Sequence, residues 1–329
     1  MLGLIVLAPL VAEYLMGNAP VTSISVVFVI ALAPYGTGAL LIREFARRTG
    51  RGWPTMMTLA LAYGMIEEAY TTQTLWNPNW SGVRILDYGF IPALGIAAPW
   101  TLFMVGVHTV FSISVPIAVV EILAGSRRTT PWLGKVGFAV TGALFLAIVL
   151  LGTRVTMNRD GVASAPQLIG AGVVIAAIIA IGLSLGRRTA LPTAGRAPSP
   201  WAAGALALVA GAVFVLLYAV DPTGLSPWLA KALPLPAWLS VVIYLALFVT
   251  VGTLIVRWSR RPGWSDAHRL ALAGGAMLTY AWHSFPWKSI EPASPAEDLT
   301  SNAILTAGTV ALLVVAALRL RHSSRPQHP

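Results

Sequence analysis

Ten stretches of this chain are apolar over lengths that matter in a bilayer, at about 2–17, 21–42, 54–75, 99–122, 136–153, 167–185, 201–220, 236–256, 269–286 and 302–319. A helix needs roughly 20 mostly apolar residues to cross the hydrocarbon layer. Between the runs, glycine and proline supply punctuation, as in Gly17-Asn18-Ala19-Pro20. The pattern predicts an all-α, polytopic transmembrane helix bundle with about ten spanning helices. No internal repeat relates its halves.

Basic residues test that count, because short cytoplasmic loops collect lysine and arginine. Alternate connections, starting after the second run, hold Arg43, Arg47, Arg48, Arg51, Arg127, Arg128, Lys135, Arg187, Arg188, Arg196, Arg257, Arg260, Arg261, Arg269, Arg319, Arg321 and Arg325. The opposite side holds only Arg84, Arg154, Arg159, Lys231 and Lys288. A missed or invented helix would scramble this alternation. Both termini are therefore expected in the cytoplasm, with the chain in the plasma (cytoplasmic) membrane. The first run lacks a basic segment before it and a small-residue cleavage site after it, so it reads as a retained helix.

Composition narrows the reading. Only 10% of the 329 residues are charged and 57% are hydrophobic, against about 25% charged in an ordinary soluble domain. A soluble enzyme is excluded, and the expected partner is the lipid bilayer. The net charge of +10 is a topology signal and calls for no nucleic acid. The absence of cysteine removes disulfides, thiol nucleophiles and cysteine-ligated metals. Residues 1–125 carry the first four runs and most of the intramembrane polar groups. Residues 126–320 carry the other six, mostly scaffold, with the Pro192–Pro200 stretch as the best break between halves. Residues 321–329 read as a disordered tail.

An ionisable residue at the bilayer centre costs at least ~2.5–3.5 kcal/mol, so each is a functional candidate. Glu67 and Glu68 lie in the third run and His108 in the fourth. At 1.5 Å per residue, Glu68 falls ~10 Å below the outer end of its run and His108 roughly 13 Å below the outer start of its own. The carboxylates and the imidazole thus share a level in the outer half of the membrane. Glu13 and His283 sit nearer the outer interface and are further candidates. Consecutive glutamates point about 100° apart on a helix, so only one of Glu67 and Glu68 need face a site. Glu121, at the inner end of the fourth run, is expected to pair with the arginines there. The outer connection from Gln73 to Pro99 reads as an interfacial segment, or as a lid whose Asn77, Asn79, Arg84 and Asp87 contact a substrate.

Familiar catalytic motifs are missing: no H-E-x-x-H helix, no P-loop, no dinucleotide-binding glycine pattern. Gly182-Leu183-Ser184-Leu185-Gly186 matches G-x-S-x-G, but that elbow needs a strand–turn–helix setting and this copy ends an apolar run. The Glu67-Glu68 pair followed by His108 on the next helix resembles the CPBP (Abi, CAAX-prenyl-protease-like) intramembrane protease family, whose pattern is EE-x-x-x-R, F-x-x-x-H, then H-x-x-x-N/D. The resemblance covers about 60 residues. Thr72 stands at the arginine position, Met104 at that of the phenylalanine, and His283 has Trp287 four residues on. It implies a glutamate general base and His108 polarising a carbonyl or a water, with or without a divalent metal; no cofactor is required by the sequence. The same residues fit a proton- or ion-coupled transporter or permease, or a non-enzymatic assembly or sensing subunit whose polar groups are all mutually paired.

Overall fold

In hydrocarbon every backbone polar group must be satisfied within the protein, which a helix does locally. The computed structural model describes residues 1–24, 27–159, 162–185 and 193–323, and ten helical segments follow one another through them. They are α1 (Leu2–Leu15), α2 (Val27–Arg48), α3 (Trp53–Ile66, continued by a π-helical stretch Glu67–Thr71), α4 (Ala98–Leu123), α5 (Lys135–Arg159), α6 (Ala165–Leu185), α7 (Pro200–Ala219), α8 (Ala237–Ser259), α9 (Asp266–His283) and α10 (Pro295–Ser323). Six of these, α4–α8 and α10, are long and apolar enough to cross a membrane.

The last helix departs from expectation at both ends. Ser294 and Glu297 cap each other, Ser294 N–H donating to the Glu297 carboxylate at 2.9 Å and Glu297 N–H to Ser294 Oγ at 3.3 Å. With Pro295 in the first turn, this capping box starts α10 ahead of its apolar run. The helix then continues to Ser323, so residues 321–323, expected in a disordered tail, are helical. Arg187, Arg188 and Arg325 of the basic pattern lie outside the described residues.

α4 is the central element. Phe111 stacks on Tyr280 of α9 at 4.0 Å between ring centroids, and Phe103 on Tyr218 of α7 at 4.2 Å. One apolar core therefore runs from Val11 to Trp287, crossing the division at residue 125. α7 belongs to this core through Phe214, Val215, Leu217 and Tyr218, whereas α5 buries no residue and α6 and α8 bury few. A second apolar cluster, including Leu40, Met56, Ile113 and Ile117, fills the space between α2, α3 and α4.

Charges gather at one end of the bundle. Arg43, fully buried, pairs with Glu44 at 2.5 Å and with Glu121 at 3.1 Å. It also donates to the carbonyls of Arg128 and Thr130, both at 2.8 Å, and lies 3.4 Å from the centroid of the Trp132 ring. Arg47 meets the other oxygen of Glu121 at 2.5 Å. Asp266, in the first turn of α9, holds both Arg128 and Arg269. Arg319 of α10 donates to the Leu123 carbonyl. The opposite end is closed by the α3–α4 connection, which folds back through a two-residue antiparallel ribbon, Phe90–Ile91 on Ile96–Ala97. There the α1–α2 and α9–α10 loops are joined, the Asn18 carbonyl accepting from the N–H groups of Ile290 and Glu291.

Breaking a buried ion pair leaves its partner desolvated and uncompensated. Glu121→Gln, which removes one of the two carboxylates holding Arg43, is expected to cost about 3 kcal/mol, read as a lowered midpoint of thermal unfolding in detergent micelles.

Candidate functional site

Three helices abandon α-helical hydrogen bonding at one place in the bundle. α1 is π-helical over Leu10–Leu15, α3 over Glu67–Thr71 and α4 over Val107–Ser114. These stretches contain Glu13, Glu67 with Glu68, and His108. A π-turn adds a residue to the turn and re-aims the side chains around it, and such turns recur at functional sites. Thr72 shows how the α3 turn is held: its N–H and its hydroxyl both donate to the Glu67 carbonyl, at 2.9 and 3.0 Å. That is the work of the residue standing where the CPBP pattern has arginine.

Close approach of α3 to α4 depends on Gly64, one turn before Glu68. A Cβ there would lie 3.1 Å from the His108 Cβ and 3.2 Å from the Val105 carbonyl oxygen. With α3 this near, His108 Nε2 stands 2.7 Å from Glu68 Oε1, both side chains being almost fully buried. The carboxylate's second oxygen accepts a short hydrogen bond from the Thr74 hydroxyl, whose oxygen in turn accepts from Trp100 Nε1 at 3.2 Å. Ser112 Oγ lies 3.3 Å from His108 Nδ1. Tyr35 stacks on the imidazole at 5.8 Å and Tyr63 meets it edge-on at 6.0 Å. Glu68 and His108 thus stand within hydrogen-bond distance of each other, each also held on its far side.

A second carboxylate cluster adjoins the first. The Glu13 oxygens accept from the Tyr35 hydroxyl, in a short hydrogen bond, and from Asn18 Nδ2 at 2.9 Å. Trp287 Nε1 donates to Asn18 Oδ1 at 3.0 Å. Glu67 is different: it is buried near the Thr71 hydroxyl, and its Oε2 makes no hydrogen bond with the described residues. All four acid–base groups, Glu13, Glu67, Glu68 and His108, line one cavity of about 200 Å³. The exposed residue of its lining, Ile290, comes from the α9–α10 loop, at the end away from the arginines. A larger furrow of about 910 Å³ lies on the other face of α1. Its walls, with Val6, Leu10, Val120, Met277 and Leu312 among them, present no carboxylate or imidazole.

Other sequence candidates lie elsewhere. His283 is fully buried against Trp282 and Trp287, with no hydrogen bond at either ring nitrogen, and does not line the cavity. Asn77 accepts from the Asn79 N–H within its own turn at 3.0 Å. Arg84 and Asp87 pair with each other at the surface at 2.6 Å. None of these five lines the cavity; the α3–α4 connection contributes Thr74 and Trp80 instead. Glu121 belongs to the arginine network at the opposite end. Among the described residues no three or more His, Cys, Asp or Glu side chains are grouped so as to hold one metal ion. Tyr35, Asn18 and Thr74 escaped the sequence reading because uncharged polar residues carry no penalty large enough to mark them. The run Pro34-Tyr35-Gly36-Thr37-Gly38 was the available signal, a polar, small-residue interruption in an apolar helix.

A family model described as an uncharacterized membrane protein family matches residues 2–325. No curated protein and no solved structure matches the chain. The match is to a membrane family and does not extend to the CPBP proteases.

Removing one member of a buried pair strands the other, whereas removing both does not. His108→Ala is expected to destabilise the protein by about 3 kcal/mol, with a coupling of about 2 kcal/mol to Glu68→Gln in a double-mutant cycle. Unfolding of the four proteins in micelles measures it, and additive losses would mean that the pair does not form.

Proposed function

The chain belongs to that membrane protein family, as a multi-pass helical protein, and we propose that it is an intramembrane hydrolase of the glutamate–histidine type. One observation carries the reading: the Glu68–His108 pair, 2.7 Å apart, lies beside a cavity holding a further, unpartnered carboxylate oxygen. In the step proposed, a water in the cavity attacks a carbonyl or comparable electrophilic centre. Its proton passes to the Glu68–His108 pair as the new bond to oxygen forms, and the same proton leaves with the departing group as the old bond breaks. Low polarity around the pair strengthens such proton transfer. This is the chemistry implied by the CPBP-like sequence pattern, carried here by the pair alone.

Two observations favour it over the alternatives. A transporter needs access from both ends, and the apolar cluster of Leu40, Met56, Ile113 and Ile117 lies on the arginine side of the pair. A purely structural polar network would satisfy all its members, and Glu67 Oε2 makes no hydrogen bond with the described residues.

General acid–base catalysis contributes about 10²–10⁴-fold. Proteoliposomes supplied with lipid esters, lipid amides and membrane peptides in H₂¹⁸O are expected to yield ¹⁸O-labelled products, at least about 100-fold fewer with Glu68→Gln or His108→Ala. Equal labelling by wild type and Glu68→Gln sinks the reading.

We further propose ten membrane spans, both termini in the cytoplasm of a cell bounded by this membrane, and the cavity opening outward. The chain has no cysteine, so single cysteines report topology without background. Ser81→Cys should react with a membrane-impermeant maleimide on intact cells, and Thr129→Cys only after permeabilisation.

A further inference from the structure

Besides its acid–base groups, the cavity has a wall of aromatic rings. Trp80, Trp100, Trp287 and Tyr35 line it together with Glu13, Glu67, Glu68 and Glu291, and no lysine or arginine is among its described lining residues. The indole N–H groups of Trp100 and Trp287 are spent on Thr74 and Asn18, and the Tyr35 hydroxyl on Glu13. What these side chains have left to offer an occupant is aromatic surface, whose quadrupole attracts cations. Glu67 supplies the second, independent sign: a buried carboxylate on the cavity wall whose Oε2 makes no hydrogen bond with the described residues, an arrangement costly unless a ligand provides one.

Cations divide by what solvates them. A hard divalent metal demands six or more oxygen ligands or retained waters, and no cluster of three or more ligating side chains exists among the described residues. An organic ammonium is satisfied by one carboxylate and aromatic faces, the pattern of aromatic cages for quaternary ammonium groups. A space of about 200 Å³ admits a small ammonium and not a bulky ligand. We propose that this cavity binds an organic ammonium group, with Glu67 as its counter-ion and the Trp80, Trp100 and Trp287 rings as its walls. That the ammonium is carried by the hydrolase substrate rests on the reading above; that it binds does not. The substrate class then follows: an amine-bearing amphiphile presenting its charged end at the loop face of the bundle.

The test uses full-length protein in lipid nanodiscs and titrates tetramethylammonium and choline by calorimetry. Their uncharged carbon isostere, 3,3-dimethylbutanol, and Mg²⁺ are titrated in parallel. Saturable ammonium binding at least tenfold tighter than the isostere is expected, weakened at least tenfold by Glu67→Gln and less by Trp287→Phe. Equal affinity for the isostere, saturable Mg²⁺ binding in place of ammonium, or no saturable ammonium binding to wild type overturns the proposal. The wild-type comparison needs no variant to fold. Because no turnover is required, ammonium binding without any ¹⁸O-labelled product would fault the hydrolase reading alone. Turnover without ammonium binding would fault this one alone.

Discussion

A carboxylate and an imidazole buried side by side among apolar helices must satisfy each other. An unmatched charge there costs several kcal/mol. The Glu68–His108 pair therefore dictates how α3 and α4 lie, and much of the local backbone serves that contact. Gly64 lets the two helices approach. The π-turns in α3 and α4 turn the side chains toward each other. Thr72 closes the α3 turn with two donors on one carbonyl. Behind the pair, the stacked rings of Phe103 with Tyr218 and Phe111 with Tyr280 press α4 against α7 and α9, so α4 has no freedom to withdraw.

Polarity is segregated along the bundle in a way that supports this design. At one end the charges form closed networks: Arg43 is satisfied by two carboxylates and two carbonyls. At the other end the carboxylates converge on a cavity with no basic partner except His108. Between them stands a layer of aliphatic side chains. Arginine suits the first role because its planar fork can serve several acceptors at once, which locks helix ends together. Excluding arginine and lysine from the second leaves carboxylate oxygens available to an occupant.

Much of this was legible in the amino-acid order, for a physical reason. Apolar runs must be helical in hydrocarbon, and each of the ten runs coincides with a helical segment. Glutamate and histidine are so costly in such runs that position alone marks them, and counting residues from the run ends was enough to place Glu68 and His108 at one level. What escaped was whatever carries no such cost. Tyr35, Thr74 and Asn18 hold the site together, yet each is as ordinary in a helix or loop as beside a charge. The loop residues Arg84 and Asp87 looked available as charges, but three residues apart they pair with each other. The early start of α10 lies in Ser294-Pro295-Ala296-Glu297, where hydropathy carries no signal, since a capping box begins a helix in polar sequence.

Glu67 and Glu68 show why adjacency in sequence does not mean equivalence in role. On one turn of α3, neighbouring side chains leave the axis in different directions, so they sample different surroundings. Glu68 meets donors on both oxygens, from Thr74 and toward His108, and is consumed by internal partners. Glu67 lines the same cavity, and its Oε2 makes no hydrogen bond with the described residues. A buried acceptor of that kind is unfavourable for stability alone, and replacing it with an apolar side chain would relieve the penalty. The ammonium proposed for this cavity would supply the missing partner. Side by side in sequence, Glu68 serves the contact with His108 while Glu67 stays outside it, on the wall of the same cavity.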